Sequence, residues 1–135
     1  MSDLRPRQFR SNAAGIAPAG HYSHAVAAGG FVFVSGQLPV PPGGVADATL
    51  PMREQTTIAL RNLASALAAA GAQWTDVVKV TAWLASEDDW DDFDAAYAQF
   101  SGEHRPARAA VPVGRLYDGL RLEIEAVAYV GGRGA

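Results

Sequence analysis

One arginine near the end of the chain has the surroundings of a carboxylate-binding group. Arg108 closes the segment Arg105-Pro106-Ala107-Arg108 and is followed by a small apolar run. An arginine held on a strand presents two parallel N–H donors that match the oxygens of a carboxylate. A surface ion pair would use the same residue, so the segment indicates a carboxylate site without assigning it.

Two acidic residues on a predicted strand could transfer protons. Glu123 and Glu125 alternate with apolar residues, which places both on one face of the strand. Partial burial raises the pKa of such a carboxyl group toward the range that suits proton transfer. The spacing does not choose between the two glutamates, and a solvated or salt-bridged glutamate would show the same pattern.

Tyr22 and Ser35 carry hydroxyl groups that could form a hydrogen bond with a ligand. Ser35 is followed by Gly36 and Gln37 at a predicted strand end, where a hydroxyl lies beside accessible backbone. Most tyrosines and serines are structural. The sequence has no Gly-Xaa-Ser-Xaa-Gly motif, so we do not expect a hydrolase triad.

Histidines are the remaining metal-binding candidates, because the chain has no cysteine. His21 and His24 could join His104 in a three-histidine site. The first two flank Tyr22 and Ser23 in a predicted loop or strand, where their spacing gives poor geometry for chelation. The sequence also lacks a Walker motif and a dinucleotide fingerprint. We therefore expect no metal site, and the sequence shows neither of these two nucleotide-binding motifs.

The charge distribution argues against a nucleic-acid partner. The formal net charge is −3, and acidic and basic residues are scattered along the 135 residues, whereas nucleic-acid binding favours a clustered basic surface.

No apolar run is long enough to cross a bilayer, and residues 1–10 lack the apolar core of a signal peptide. We expect one domain over residues 1–135, in the cytoplasm and without a membrane partner.

Hydrophobic periodicity predicts the elements that position these residues. The predicted order is a hairpin of strands 25–28 and 31–35, a helix over 52–70, a strand over 77–84, a helix over 88–100, and strands over 108–113 and 121–130. We expect a tight turn at Gly29-Gly30, a helix stop at Gly71, and a capping box formed by Ser86 and Asp89.

This order predicts an α+β fold in which two helices pack on one face of a mixed sheet. Leu122, Ile124 and Ala126 belong to the face beneath the helices. The opposite face of the 77–84 strand carries four residues: Val77, Lys79, Thr81 and Trp83. Its valine and tryptophan leave apolar area for another subunit to cover, although one exposed tryptophan alone would not require a partner.

Taken in order, several segments resemble the Rid (YjgF-like) family. The similar segments are GHYSHAV at 20–26, FVFVSGQ at 31–37, EQT at 54–56, NL at 62–63, DVVKVT at 76–81, HRPAR at 104–108 and EIEA at 123–126. Each segment alone is short, but the ordered set covers the chain from about residue 17 to residue 130 and is specific.

The resemblance implies a chorismate-mutase-like two-layer fold and a homotrimer whose sheets line a central barrel, with pockets between subunits. It implies cofactor-free hydrolysis of 2-imino acids and enamines, such as 2-aminoacrylate, to 2-keto acids and ammonia. By this resemblance Arg108 binds the substrate carboxylate, and Glu123 rather than Glu125 positions water and transfers protons. The residues that correspond to pocket positions are Tyr22, Ser35, Gly36, Asp94 and the backbone near Ala110.

Some positions depart from the family pattern. Many deaminating members have Asn at the position of Asp94 and Cys at that of Ala110, and His21 and His24 replace the usual residues beside Tyr22. Asp94 could point away to a neighbouring cation, be protonated in the pocket, or select a substrate with an added cationic or donor group. Two other functions stay open: a non-catalytic carboxylate-binding trimer and, disfavoured by the acidic charge balance, a ribonuclease.

Overall fold

The computed structural model describes residues 5–131, which form a mixed sheet of six strands with two helices on one face. The predicted single domain over residues 1–135 includes residues 1–4 and 132–135, which lie outside the described residues. The strands are β1 (Arg7–Phe9), β2 (Ala25–Ala28), β3 (Phe31–Gln37), β4 (Val77–Leu84), β5 (Ala107–Pro112) and β6 (Leu122–Tyr129). The helices are α1 (Met52–Ala69) and α2 (Trp90–Ser101).

The spatial order of the strands is β1-β2-β3-β6-β4-β5. β4 and β5 pair in parallel, and the other neighbours are antiparallel. The parallel pair requires a crossover, which α2 supplies across the helix-covered face. As a result, α2 packs beside β5 at one edge of the sheet.

The core lies between the helices and the sheet, as the periodicity predicts. The apolar residues that repeat at helical spacing along α1 are buried, and α1 ends in a Schellman motif in which Gly71 has a φ of 79°. The amide of Gly71 donates to the carbonyl of Ala68, and the amide of Ala72 donates to that of Leu67. The predicted hairpin is also present, with both glycines of its turn at positive φ.

A bulge in β4 changes the predicted faces of that strand. The register with β6 shifts between Val77 and Lys79, so Val77 is buried on the helix side rather than on the opposite face. The inserted Val78 is exposed instead. The prediction for Val77 was therefore wrong, because a bulge interrupts the two-residue alternation of a strand.

Ser86 caps the turn before α2, but the capping box predicted with Asp89 is not formed. Ser86 accepts a hydrogen bond from the amide of Asp88 at 3.1 Å. The reciprocal bond, in which the Asp89 carboxylate would accept from the Ser86 amide, was predicted wrongly, because that carboxylate accepts from the Arg121 guanidinium at 2.6 and 2.9 Å. A charge-assisted pair thus replaces the weaker contact with the backbone.

The sheet face away from the helices carries uncovered aromatic residues. Phe33 is 47% exposed and Tyr129 is 50% exposed, and the ring of Phe31 lies 4.9 Å from that of Tyr129. An apolar patch of this kind is typical of a surface that a partner covers. Within residues 5–131, no helix is both long enough and apolar enough to cross a membrane.

Candidate active site

An open cleft of about 450 Å³ lies between α2 and the start of β5. The α2 side and the turn after it contribute Asp94, Tyr97, Ala98, Ser101 and Gly102. The segment that enters β5 contributes His104, Arg105, Pro106 and Arg108. We call this site the Arg108 cleft.

Aromatic rings hold the Arg108 guanidinium in place. Its central carbon lies 4.6 Å from the ring centre of Tyr97, 5.2 Å from that of Phe93 and 5.7 Å from that of Trp90. These rings recur every three or four residues along α2 and therefore lie on one face of the helix. The cation is therefore positioned before any ligand binds, and its side chain is 19% exposed.

Asp94 lies in the same cleft and pairs with Arg108. Oδ1 of Asp94 is 2.9 Å from Nη2 of Arg108, and the Asp94 side chain is 41% exposed. The possibility that Asp94 points away to a neighbouring cation is therefore only half met: Asp94 pairs with a cation, but it lies in the cleft and does not point away from it. That cation is the candidate carboxylate-binding group itself.

Tyr97 adds a buried hydroxyl to the cleft wall. Among the described residues its oxygen has no hydrogen-bond partner. Burial raises the pKa of Tyr97; the positive charge of Arg108 opposes this effect and the negative charge of Asp94 adds to it. In the sequence, Tyr97 is distinguished only by its helical spacing from Phe93.

Two of the three histidines considered for a metal site make other contacts. Nε2 of His104 lies 2.8 Å from the carbonyl oxygen of Val77, which makes that nitrogen the donor. Nδ1 of His24 is 3.1 Å from the side-chain amide of Gln37, and burial lowers the pKa of His24. In the described part of the chain, no group of three or more histidine or acidic residues could hold a metal ion.

A second group of predicted site residues surrounds Glu123. Burial raises the pKa of Glu123, and the nearby charge of Glu125 raises it further. Gly36 lies directly against this carboxyl group: a Cβ added to Gly36 would be 3.0 Å from Cδ of Glu123 and closer still to Oε1. A register shift between Val34 and Gln37 brings Gly36 to this position. We call this group the Glu123 face.

Hydrogen bonds tie the remaining predicted residues to the Glu123 face. The Ser35 hydroxyl donates to the carbonyl of Ser23 at 2.6 Å, which joins β3 to the segment that carries Tyr22. The Gln37 side chain donates to the Ser35 carbonyl at 3.1 Å. Tyr22 itself is 48% exposed and packs edge-on against His24. The structure thus brings Ser35 and Gly36 beside Glu123, with Tyr22 on the adjoining segment.

Arg108 and Glu123 are not brought together within one protomer. Arg108 pairs with Val80 in β4 and Glu123 pairs with Trp83. Val80 is buried beneath the helices, whereas Trp83, three positions along, is on the other face. Ala110 pairs with Ala82 and shares the side of Arg108. One protomer therefore carries two half-sites, the Arg108 cleft and the Glu123 face.

The sequence is similar to one protein family and to several of its members. The family model described as endoribonuclease L-PSP matches residues 12–130. A RutC family protein from Pyrococcus horikoshii is 41% identical over 112 residues, which cover 83% of this chain and 89% of the relative. The 2-iminobutanoate/2-iminopropanoate deaminase of Homo sapiens is 37% identical over 125 residues, covering 93% of this chain and 91% of that protein.

Solved structures match the fold over nearly the whole chain. The crystal structure of Escherichia coli TdcF with bound serine has a TM-score of 0.83 and 31% identity, covering 91% of this chain and 98% of that chain. Yeast Mmf1 has a TM-score of 0.84 and 30% identity, with 93% and 98% covered. These similarities confirm the predicted α+β fold.

Proposed function

The chain belongs to the endoribonuclease L-PSP (YjgF/RutC) family, and we propose that it hydrolyses 2-imino acids and their enamines to 2-keto acids and ammonia. Its relatives support reactive-intermediate deaminase chemistry at the level of the family. The observation that carries the proposal for this chain is the preorganised Arg108 guanidinium in an open cleft.

Arg108 binds the substrate carboxylate in this proposal. A guanidinium fixed by three rings offers directed N–H donors to a planar anion, and little side-chain entropy is lost when the ligand binds. The backbone near Ala110, on the same side of β5, orients the rest of a small substrate. In a 2-imino acid the C=N carbon is bonded to the carboxylate, so binding the carboxylate at Arg108 would also hold the C=N bond in the cleft.

Glu123 donates and accepts the protons in this proposal. For an enamine, the carboxylic acid donates a proton to the terminal carbon and produces the iminium ion, which is the protonated imine. The carboxylate then takes a proton from water as the oxygen adds to the C=N carbon, which gives a carbinolamine. Glu123 returns that proton to the nitrogen, the C–N bond breaks to release ammonia, and the hydroxyl loses its proton to leave the keto acid. A raised pKa lets the same group serve as acid and base near neutral pH. Water and proton transfer suffice, so we propose no cofactor.

We propose that a symmetric homotrimer completes the site, with the Arg108 cleft of one subunit against the Glu123 face of the next. Two observations support this arrangement: the half-sites lie on opposite sides of one sheet, and the Glu123 side carries exposed aromatic rings. Tyr22, Ser35 and Gly36 then line a pocket between subunits. We also retain the cytoplasm as the proposed location.

A non-catalytic carboxylate binder is the second candidate, because the Arg108 cleft is formed without Glu123. Such a binder would need Arg108 but not the glutamate. A ribonuclease has less support, since the net charge is −3 and phosphate backbones bind best to basic surfaces.

The test is the release of keto acid from 2-iminopropanoate and 2-iminobutanoate, generated in the assay by an amino-acid oxidase. We expect acceleration over the spontaneous reaction, and a loss on the order of a hundredfold in kcat/KM for Arg108→Ala. Arg105→Ala is the matched control, because Arg105 lines the same cleft but is exposed. Absence of acceleration, or equal rates in wild type and Arg108→Ala, would refute the proposal.

A further inference from the structure

The Arg108 cleft contains an ion pair rather than an isolated cation. Asp94 and Arg108 approach to 2.9 Å, and Asp94 is the more exposed of the two. Arg105 also lines the cleft, but it is exposed to solvent, where screening weakens its charge. A ligand that reaches Arg108 therefore meets a cation and an anion side by side.

A bare carboxylate fits this arrangement poorly. To bind Arg108 it must share the guanidinium with the Asp94 carboxylate. Two carboxylates bound to one guanidinium lie close together, and their negative charges repel each other. A ligand with a positively charged nitrogen beside its carboxylate meets no such conflict. Its carboxylate can pair with Arg108 while its nitrogen donates to Asp94.

We propose that Asp94 determines specificity by selecting ligands that carry a carboxylate and an adjacent positively charged nitrogen, and by disfavouring the corresponding 2-keto acids. This inference rests on the proposed function. A protonated 2-imino acid has both charges on neighbouring carbons. The keto-acid product keeps the carboxylate and has lost the nitrogen, so Asp94 pairs with Arg108 again and promotes product release.

Tyr97 supports the same preference. Its ring lies against the Arg108 guanidinium on the side of the cleft that also carries Asp94. The ring covers one face of the cation at 4.6 Å, and its hydroxyl is buried. Because the Arg108 side chain is only 19% exposed, solvent screens its charge less than that of an exposed arginine, which strengthens its discrimination between ligands of different charge.

The test is equilibrium binding without turnover. Isothermal titration of L-2-aminobutanoate and of 2-ketobutanoate compares two ligands with the same carbon skeleton that differ in the nitrogen. We expect wild type to bind the amino acid at least about tenfold more tightly than the keto acid. In Asp94→Asn this preference should fall to near unity or reverse, because the amide neither repels the keto acid nor attracts the nitrogen.

Asp92→Asn is the matched control. Asp92 is also on α2, but it is exposed and pairs with Arg53 at 3.0 Å, so its loss should leave the ligand preference unchanged. Equal binding of both ligands to wild type, or an unchanged preference in Asp94→Asn, would overturn the inference. Because no reaction occurs in this experiment, its outcome is distinguishable from failure of imine hydrolysis, which would overturn the proposed function.

Discussion

Gly36 lies against the carboxyl group of Glu123, so that any side chain on Gly36 would occupy the space that the carboxyl group fills. The contact is made possible by the irregular register between β3 and β6, which brings a residue without a Cβ to this point. Glycine here sets the position of a proposed proton-transfer group rather than the conformation of a turn.

Gly36→Ala should therefore displace Glu123 and reduce kcat without unfolding the protein. The atoms nearest to the added methyl group belong to the flexible end of the glutamate side chain, so the clash can be relieved by moving that side chain. A displacement of about 1 Å in a catalytic group can lower the rate by roughly a hundredfold. Steady-state imine hydrolysis and thermal unfolding measure the two effects.

A double-mutant cycle provides the control for Gly36→Ala. In a Glu123→Gln background the added methyl group should cause no further loss of activity, since the group it displaces has already been inactivated. Additive losses in the double variant would show that Gly36 acts through another residue.

The raised pKa of Glu123 predicts how its contribution to stability depends on pH. Because burial, and then Glu125, raise the pKa in the folded state, the folded protein holds this proton more tightly than the unfolded chain does. Stability is thus lost as the pH rises from the ordinary glutamate value through the raised folded value. Glu123→Gln removes this cost, so its stability advantage over wild type should be near zero in acid and grow with pH.

Chemical denaturation of both proteins at one protein concentration, between pH 4 and 8, measures this difference. Glu125→Gln is the companion variant: it removes the charge that adds to the shift, so the Glu123 transition should move to lower pH. If the stability advantage of Glu123→Gln over wild type did not change with pH, Glu123 would not have a raised pKa in the folded protein.

Tyr97→Phe should keep the fold and slightly increase its stability. The hydroxyl is buried without a partner in the described part of the chain, and removing such a group relieves a desolvation cost of up to about 1 kcal/mol. The aromatic ring, which packs on Arg108 and Phe93, remains. Urea unfolding measures the change, with Tyr22→Phe, at an exposed position, as the neutral control. A loss above about 1 kcal/mol would show that the hydroxyl is stabilising.

The sequence predicts the regular part of this fold because that part depends on local patterns. The buried face of α1 follows from apolar residues at helical spacing, and the stop at Gly71 follows from its freedom to adopt positive φ. The bounds of β4 match the prediction. The three-residue strand β1 has too little sequence to form a pattern, and it exists because it pairs with β2.

The features that shape the site depend on contacts between distant segments. The bulges near Val77 and Gly36 arise from pairing with β6, and no local signal specifies them. The side chains of Arg108 and Glu123 suggest carboxylate binding and proton transfer from the sequence alone. Their location on opposite faces of the sheet can be known only once the pairing of the strands is known. The contact of Asp94 with Arg108 likewise follows from the crossover that lays α2 beside β5.

The most direct test of the account is subunit complementation between Arg108→Ala and Glu123→Gln. Each variant alone should be inactive. If each site takes Arg108 from one subunit and Glu123 from the next, mixed trimers formed by denaturing and refolding a one-to-one mixture contain intact sites. Random assembly then predicts about a quarter of wild-type deaminase activity, because each intact site needs one particular variant at each of two positions. No activity in mixtures shown by mass spectrometry to contain mixed trimers would contradict the shared site.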